Sequence, residues 1–141
     1  MKKVKLTDPR MALLPISLFL PLLALWTPAS GHHSFSVQYD DTKPITIQGW
    51  LTKVEWTNPH VYFYLDVFGE ENDVENWAFE MVAPIVLERR GWTRNTLQIG
   101  EEIEVEGFLA RDGSRLASAA ALHIIRTGER HSGTTRQLLP E

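Results

Sequence analysis

The run Val61-Tyr62-Phe63-Tyr64-Leu65-Asp66-Val67 constrains the fold more than any other part of the chain. Val61, Phe63, Leu65 and Val67 alternate with Tyr62, Tyr64 and Asp66, the two-residue period of a strand with one apolar and one mixed face. Immediately upstream, Asn58-Pro59 is a turn signal, because Pro fixes its own φ, lacks an N–H and biases Asn58 away from the helical region. His60 therefore stands at the mouth of a strand, just after a bend. A rigid sheet holds such a side chain while solvent can still reach it.

Other strands follow on both sides. The stretch from His32 to Asp41 alternates Phe35, Val37 and Tyr39 with polar residues and is expected to add an edge strand. After the Thr42-Lys43-Pro44 turn, Ile45, Ile47 and Leu51 share one strand phase while Val54 and Trp56 share the other. The change of phase near Gly49 predicts a β-bulge. Beyond the polar connection Gly69 to Asp73, Trp77, Phe79 and Met81 face one way and Glu80 the other. Pro84 suits a first helical position, Ile85 to Arg90 a short helix, and Gly91 its end. From Glu102, the residues Ile103, Val105, Gly107 and Leu109 alternate with Glu102, Glu104 and Glu106, a strand with one wet face. Asp112-Gly113 is a hairpin turn. Ala117 to Ile125 is the last expected strand, with Leu122 and Ile124 inward and His123 out of phase.

Three strands, a short helix and two more strands is the order of the OB-fold, a five-stranded Greek-key barrel whose helix lies between its third and fourth strands. The expected organisation is a leader over residues 1–31, an OB-like β-barrel domain over 32–126 and a polar, unstructured tail over 127–141. Fold alone gives no function.

The leader has the three parts of a secretory signal peptide: the positive residues Lys2, Lys3, Lys5 and Arg10, an uncharged run of 16 residues from Met11 to Trp26, and the small residues that follow. A retained anchor is the alternative, but the run is broken by Pro15 and Pro21 and is short of the roughly 20 residues of a span. Cleavage after Gly31 makes His32 the first mature residue, and cleavage after Ala29 leaves Ser30-Gly31-His32. The protein is therefore expected to be periplasmic or secreted, with no membrane span after cleavage. From His32 onward, ten Lys and Arg face seventeen Asp and Glu, a formal charge of −7 that argues against a nucleic-acid partner. There is no Cys, so stability must come from the core.

Histidines carry the chemistry. If His32 is first, its amine and imidazole chelate one metal and a third nitrogen completes a T-shaped site suited to copper. If Ser30 is first, amine, two deprotonated amides and the His32 imidazole surround Cu(II) or Ni(II) in a plane. His60 is the best third nitrogen, His33 stands beside the first, and Asp40 and Glu80 are candidate oxygen ligands or supports for a histidine. His123 and His131 are expected to stand apart from any site. Among the aromatics, Trp56 and Trp77 are expected in the core, and Trp50, Tyr62, Tyr64 and Trp92 over its ends or as an exposed strip that stacks on a ligand or docks a partner. Arg89, Arg90 and Arg94 form a basic cluster that could receive an anion, or pair with Glu88 and the glutamates of the fourth strand. There is no nucleophile elbow, phosphate-binding glycine loop or zinc helix motif.

Four segments carry a resemblance: His32-His33-Ser34-Phe35, Glu55-Trp56-Thr57-Asn58-Pro59-His60, Trp77-Ala78-Phe79-Glu80, and Arg89-Arg90-Gly91-Trp92-Thr93-Arg94. Over His32 to about Ile125 the chain resembles a family of small exported bacterial proteins known only as a domain of unknown function. That resemblance implies no activity, but it sets His32, His33 and His60 within recurring patterns. The expected protein is a non-catalytic exported module that captures a transition metal, copper above all, through His32, His33 and His60. The alternative is a metal-free adaptor that docks a periplasmic protein or envelope ligand through its aromatics, and an oxidative copper enzyme is the third class.

Overall fold

The computed structural model describes residues 35–69 and 73–134, all within one unit. The leader, His32 and His33 lie outside the described residues. The chain runs α1 (Phe35–Gln38), β1 (Tyr39–Trp56), β2 (Val61–Phe68), β3 (Val74–Glu80), α2 (Pro84–Glu88), β4 (Glu102–Ala110), β5 (Leu116–Ile124) and β6 (Glu129–Ser132). It is mostly β, a six-stranded sheet in the order β3-β2-β1-β4-β5-β6 with antiparallel neighbours, and β3 also pairs in parallel with β5 over Ala78 to Glu80. No described helix is long and apolar enough to cross a membrane.

Alternation builds the interior. Val61, Phe63 and Leu65 from β2, Phe79 from β3, Ile103 and Val105 from β4 and Leu122 and Ile124 from β5 are buried together. Phe63 and Phe79 stack with ring centroids 5.0 Å apart, and Trp77 lies over Phe79. Full burial of each such side chain is worth about 1.5–3 kcal/mol. Trp56 joins this core and Trp77 packs against it as expected.

Four expectations change. Phe35 to Gln38 form one helical turn instead of an edge strand, which brings the rings of Phe35 and Tyr39, four residues apart, to 5.3 Å. The first strand slips register between Leu51 and Lys53 rather than at Gly49. Gly49 instead allows close approach, since a Cβ there would stand 2.7 Å from the Asp66 carbonyl oxygen. Between Glu106 and Gly107 the β4–β5 pairing skips Ala120, and beyond it Phe108 and Ala110, on the opposite face from Ile103 and Val105, are buried while Leu109 is only half-buried. Phe108, Ala110, Tyr39 and Ala120 then make a second apolar cluster against which Phe35 packs. The fourth change is toward the end of the described chain, where Glu129–Ser132 leave the expected tail and add to β5 as a sixth strand.

Candidate functional site

The Asn58-Pro59 bend, whose peptide is cis, delivers His60 to the entrance of β2 with its side chain 41% exposed. Across the β2–β3 ladder, Glu80 lies opposite Tyr62. Phe79 points into the core and Glu80, the next residue, points to the other face, yet only 7% of Glu80 is exposed. What covers it is the start of the described chain, Gln38 and Tyr39.

Donors surround the Glu80 carboxylate. His60 Nδ1 contacts Oε1, the Tyr39 phenol donates to Oε2, and Gln38 Nε2 donates to the same oxygen at 3.3 Å and to the Tyr39 Oη at 3.1 Å. Tyr62 also hydrogen-bonds Glu80, and burial, this bond and the nearby negative charge all raise its pKa. Tyr39 is pushed up for the same reasons, burial first and Glu80 second. A carboxylate has about four lone-pair positions, enough to accept from all these groups. Neither Lys nor Arg pairs with Glu80 among the described residues. His60 is thus the one basic side chain in contact with Glu80 among the described residues. A buried charge is costly unless hydrogen-bonded or paired, and this one is answered from one side by phenols and from the other by imidazole.

The other predicted residues fall elsewhere. Asp40 caps its own turn, accepting from Thr42 N at 3.1 Å and Oγ1 at 2.7 Å; these bonds, with Arg111 and Lys43 nearby, hold its carboxyl below the usual range. His123 lies 4.0 Å from Glu104, and the His131 ring packs 5.0 Å from that of Trp92. Trp92 is 4% exposed and so belongs to the core, not to a docking face. Its segment folds back after α2, where Gly91 takes a φ of 86° and Trp92 N donates to Leu87 O. Tyr64 is half-buried and donates to Glu55 at 2.8 Å, with Lys53 Nζ 5.0 Å above its ring. Trp50 is 45% exposed.

Neither Glu88 nor the β4 glutamates receive the arginines. Arg90 donates to Thr134 O at 2.9 Å and Arg94 reaches Trp56 O at 3.4 Å, while Arg89 is exposed. Those glutamates take Gln48, His123 and Arg130 instead. Two arginines of the cluster thus bind the carbonyls that loop and strand ends leave over.

Among the described residues, no group of three or more His, Asp or Glu gathers as a ligand set. Of the predicted metal ligands, only His60 lies among the described residues. Glu80 was legible as a support for a histidine, but Tyr39 and Gln38 were not. Their signal was indirect: a glutamate facing out of a strand as apolar as Trp77 to Val82 needs donors, and a tyrosine in the preceding segment is one.

Residues 20–119 match the model of a family of unknown function (DUF6152). The chain belongs to this family. The DUF6152 match takes in Gln38, Tyr39, His60, Tyr62 and Glu80, and it ends within β5, so β6 and His131 lie beyond it. None of the curated proteins matches the chain.

Proposed function

We propose that this protein is an exported module that binds a transition metal, copper above all, through nitrogen ligands: His60 Nε2 together with His32 or His33 and the amine freed by removal of the leader. One observation carries the reading, the contact of His60 Nδ1 with buried Glu80. Metal-bound histidines almost always donate their second ring nitrogen to a carboxylate, carbonyl or water, which fixes the tautomer and makes the ligating nitrogen more basic. Here Nδ1–H is committed to Glu80, and Nε2 has no partner among the described residues.

A neutral imidazole and an amine are the donors that borderline ions such as Cu(II) prefer. The finer fold reading belongs to the same proposal: an OB-like barrel closed by the parallel β3–β5 pairing, with α2 between its third and fourth strands and β6 as an addition.

The metal-free adaptor is less well supported. Trp92 is buried and Tyr62 and Tyr64 are tied to glutamates, which leaves Trp50 as the exposed member of that set. The test is intact mass of the exported, untagged protein, followed by Cu(II) titration read by electron paramagnetic resonance. A terminus at His32 or Ser30 and one nitrogen-rich site that weakens at least tenfold in His60→Ala and in His32→Ala or His33→Ala support the reading. Copper binding that is weak, or indifferent to all three substitutions, sinks it.

A further inference from the structure

We infer that Tyr39 is a positioning residue for His60: its phenol holds one oxygen of Glu80, so that the other oxygen stays aimed at His60 Nδ1 and keeps Nε2 turned outward. This rests on the metal-binding reading for its purpose, but not for its geometry.

Besides the bond from Tyr62 of β2, two parts of the chain hold the oxygens of Glu80. Oε2 takes the Tyr39 hydroxyl and Gln38 Nε2, both from the segment at the start of the described chain, and Oε1 takes His60 from the β1–β2 bend. A carboxylate on a flexible glutamate has free torsions, and what fixes them is the fixed partner. Tyr39 is that partner. It is 3% exposed, its ring is held by Phe35 at 5.3 Å, and it begins β1, where it pairs with Ala110. Phe35 in turn packs edge-on against Phe108 at 5.7 Å. The turn that carries Gln38 is itself fastened, because Arg111 Nε donates to Ser36 O at 2.8 Å and Arg111 N to Gln38 O at 2.9 Å. Rigidity therefore passes from the second apolar cluster through Tyr39 to Glu80 and then to His60.

Two consequences follow in chemistry. In its neutral form the His60 imidazole must carry its proton on Nδ1, the opposite of the tautomer a free imidazole side chain prefers. The segment leading back to His33 is also latched to the carboxylate that orients His60, so a ligand bridging His60 and that segment strengthens a contact already made.

The experiment compares the full mature protein with Tyr39→Phe, using nitrogen-15 NMR of the metal-free imidazoles above their titration and Cu(II) titration of the same samples. Tyr64→Phe, which removes a phenol bonded to Glu55, is the control. The wild type and Tyr64→Phe are expected to show His60 as the Nδ1–H tautomer. Tyr39→Phe is expected to show a mixture and a fall in copper affinity of about tenfold, though no ligand has changed. A His60 tautomer that is unaltered in Tyr39→Phe, or Nε2–H already in the wild type, overturns the inference. Should Tyr39→Phe fail to fold, Glu80→Asp, which keeps the charge but shortens its reach, asks the same question with the same expected tautomer mixture. The two readings fail separately: a tautomer switch without copper binding upholds Tyr39 and overturns the metal reading, while tight copper with an unmoved tautomer does the reverse.

Discussion

Tyr62 and Tyr64 stand two residues apart on the same face of β2, and each hydrogen-bonds a glutamate, yet they belong to different chemistries. The Tyr64 partner, Glu55, is also held by Lys53 Nζ at 2.5 Å and is 38% exposed, so its charge is neutralised by a resident ammonium and screened by water. The Tyr62 partner, Glu80, is buried beneath Gln38 and Tyr39 with only His60 to supply positive charge. One network contains its own ammonium; in the other an imidazole stands in that place. The difference lies less in the tyrosines than in what roofs them.

Both networks rest on the stacked Phe63 and Phe79, so the largest effect comes from removing that floor. Phe63→Ala is expected to cost about 3–5 kcal/mol in chemical denaturation, and to erase the contrast by loosening both glutamates. Next comes the contrast itself. Glu80→Ala leaves the buried Tyr39 hydroxyl and the half-buried Tyr62 hydroxyl without their acceptor, the first worth about 1–3 kcal/mol and the second less, and should lower stability by about 2–4 kcal/mol, whereas Glu55→Ala should shift the denaturation midpoint only slightly. Equal effects at the two positions would remove the distinction drawn between them.

A smaller effect concerns pH. Lys53 first and Tyr64 second, through their hydrogen bonds, hold the Glu55 carboxyl below its ordinary value, and the bond to Glu55 in turn raises Lys53. A carboxyl depressed in the folded state stabilises above its unfolded pKa, and that contribution is lost as pH falls through the folded value. The raised ammonium stabilises below its unfolded pKa and loses that contribution as pH rises through its folded value. The melting-temperature difference between wild type and Lys53→Met is therefore expected at neutral pH and should vanish toward both extremes. NMR titration should show the Glu55 carboxyl returning upward in the variant. The smallest effect is that of Tyr64→Phe, which should raise the same carboxyl by less than Lys53→Met does, in keeping with the order of the two causes.

Period-two alternation made β2, β3, β5 and the first half of β4 legible, because one buried face dictates every second residue. It failed where register slips. Leu109 reads as inward from Ile103 and Val105, but past Gly107 the opposite face is the better buried, with Phe108 and Ala110 in the second cluster, and nothing in the alternation announces the skipped residue in β5 before the partner strand is known. Phe35 and Tyr39 fit both an alternating strand and a helical turn, and packing on Phe108 decided for the turn. Glu129 to Ser132 look polar because their strand is short and outermost, and their pairing with β5 is settled by backbone groups that composition does not record. In the site, His60 could be placed from the Pro59 bend and Glu80 from its phase, while Tyr39 required a contact across 41 positions.

Gly133 binds at once to Ala120 O through its N–H and to Val82 N through its carbonyl, and a Cβ there would stand 2.6 Å from Ala119 O. The residue that ties β5 to the link before α2 is thus among the last of the described chain to be synthesised, and β1, paired with β2 on one edge, must wait for β4, dozens of residues later, to fill the other. The β1–β2–β3 meander can therefore pair as it emerges, while the long-range pairings that finish the sheet are expected to be the late and slow step of folding.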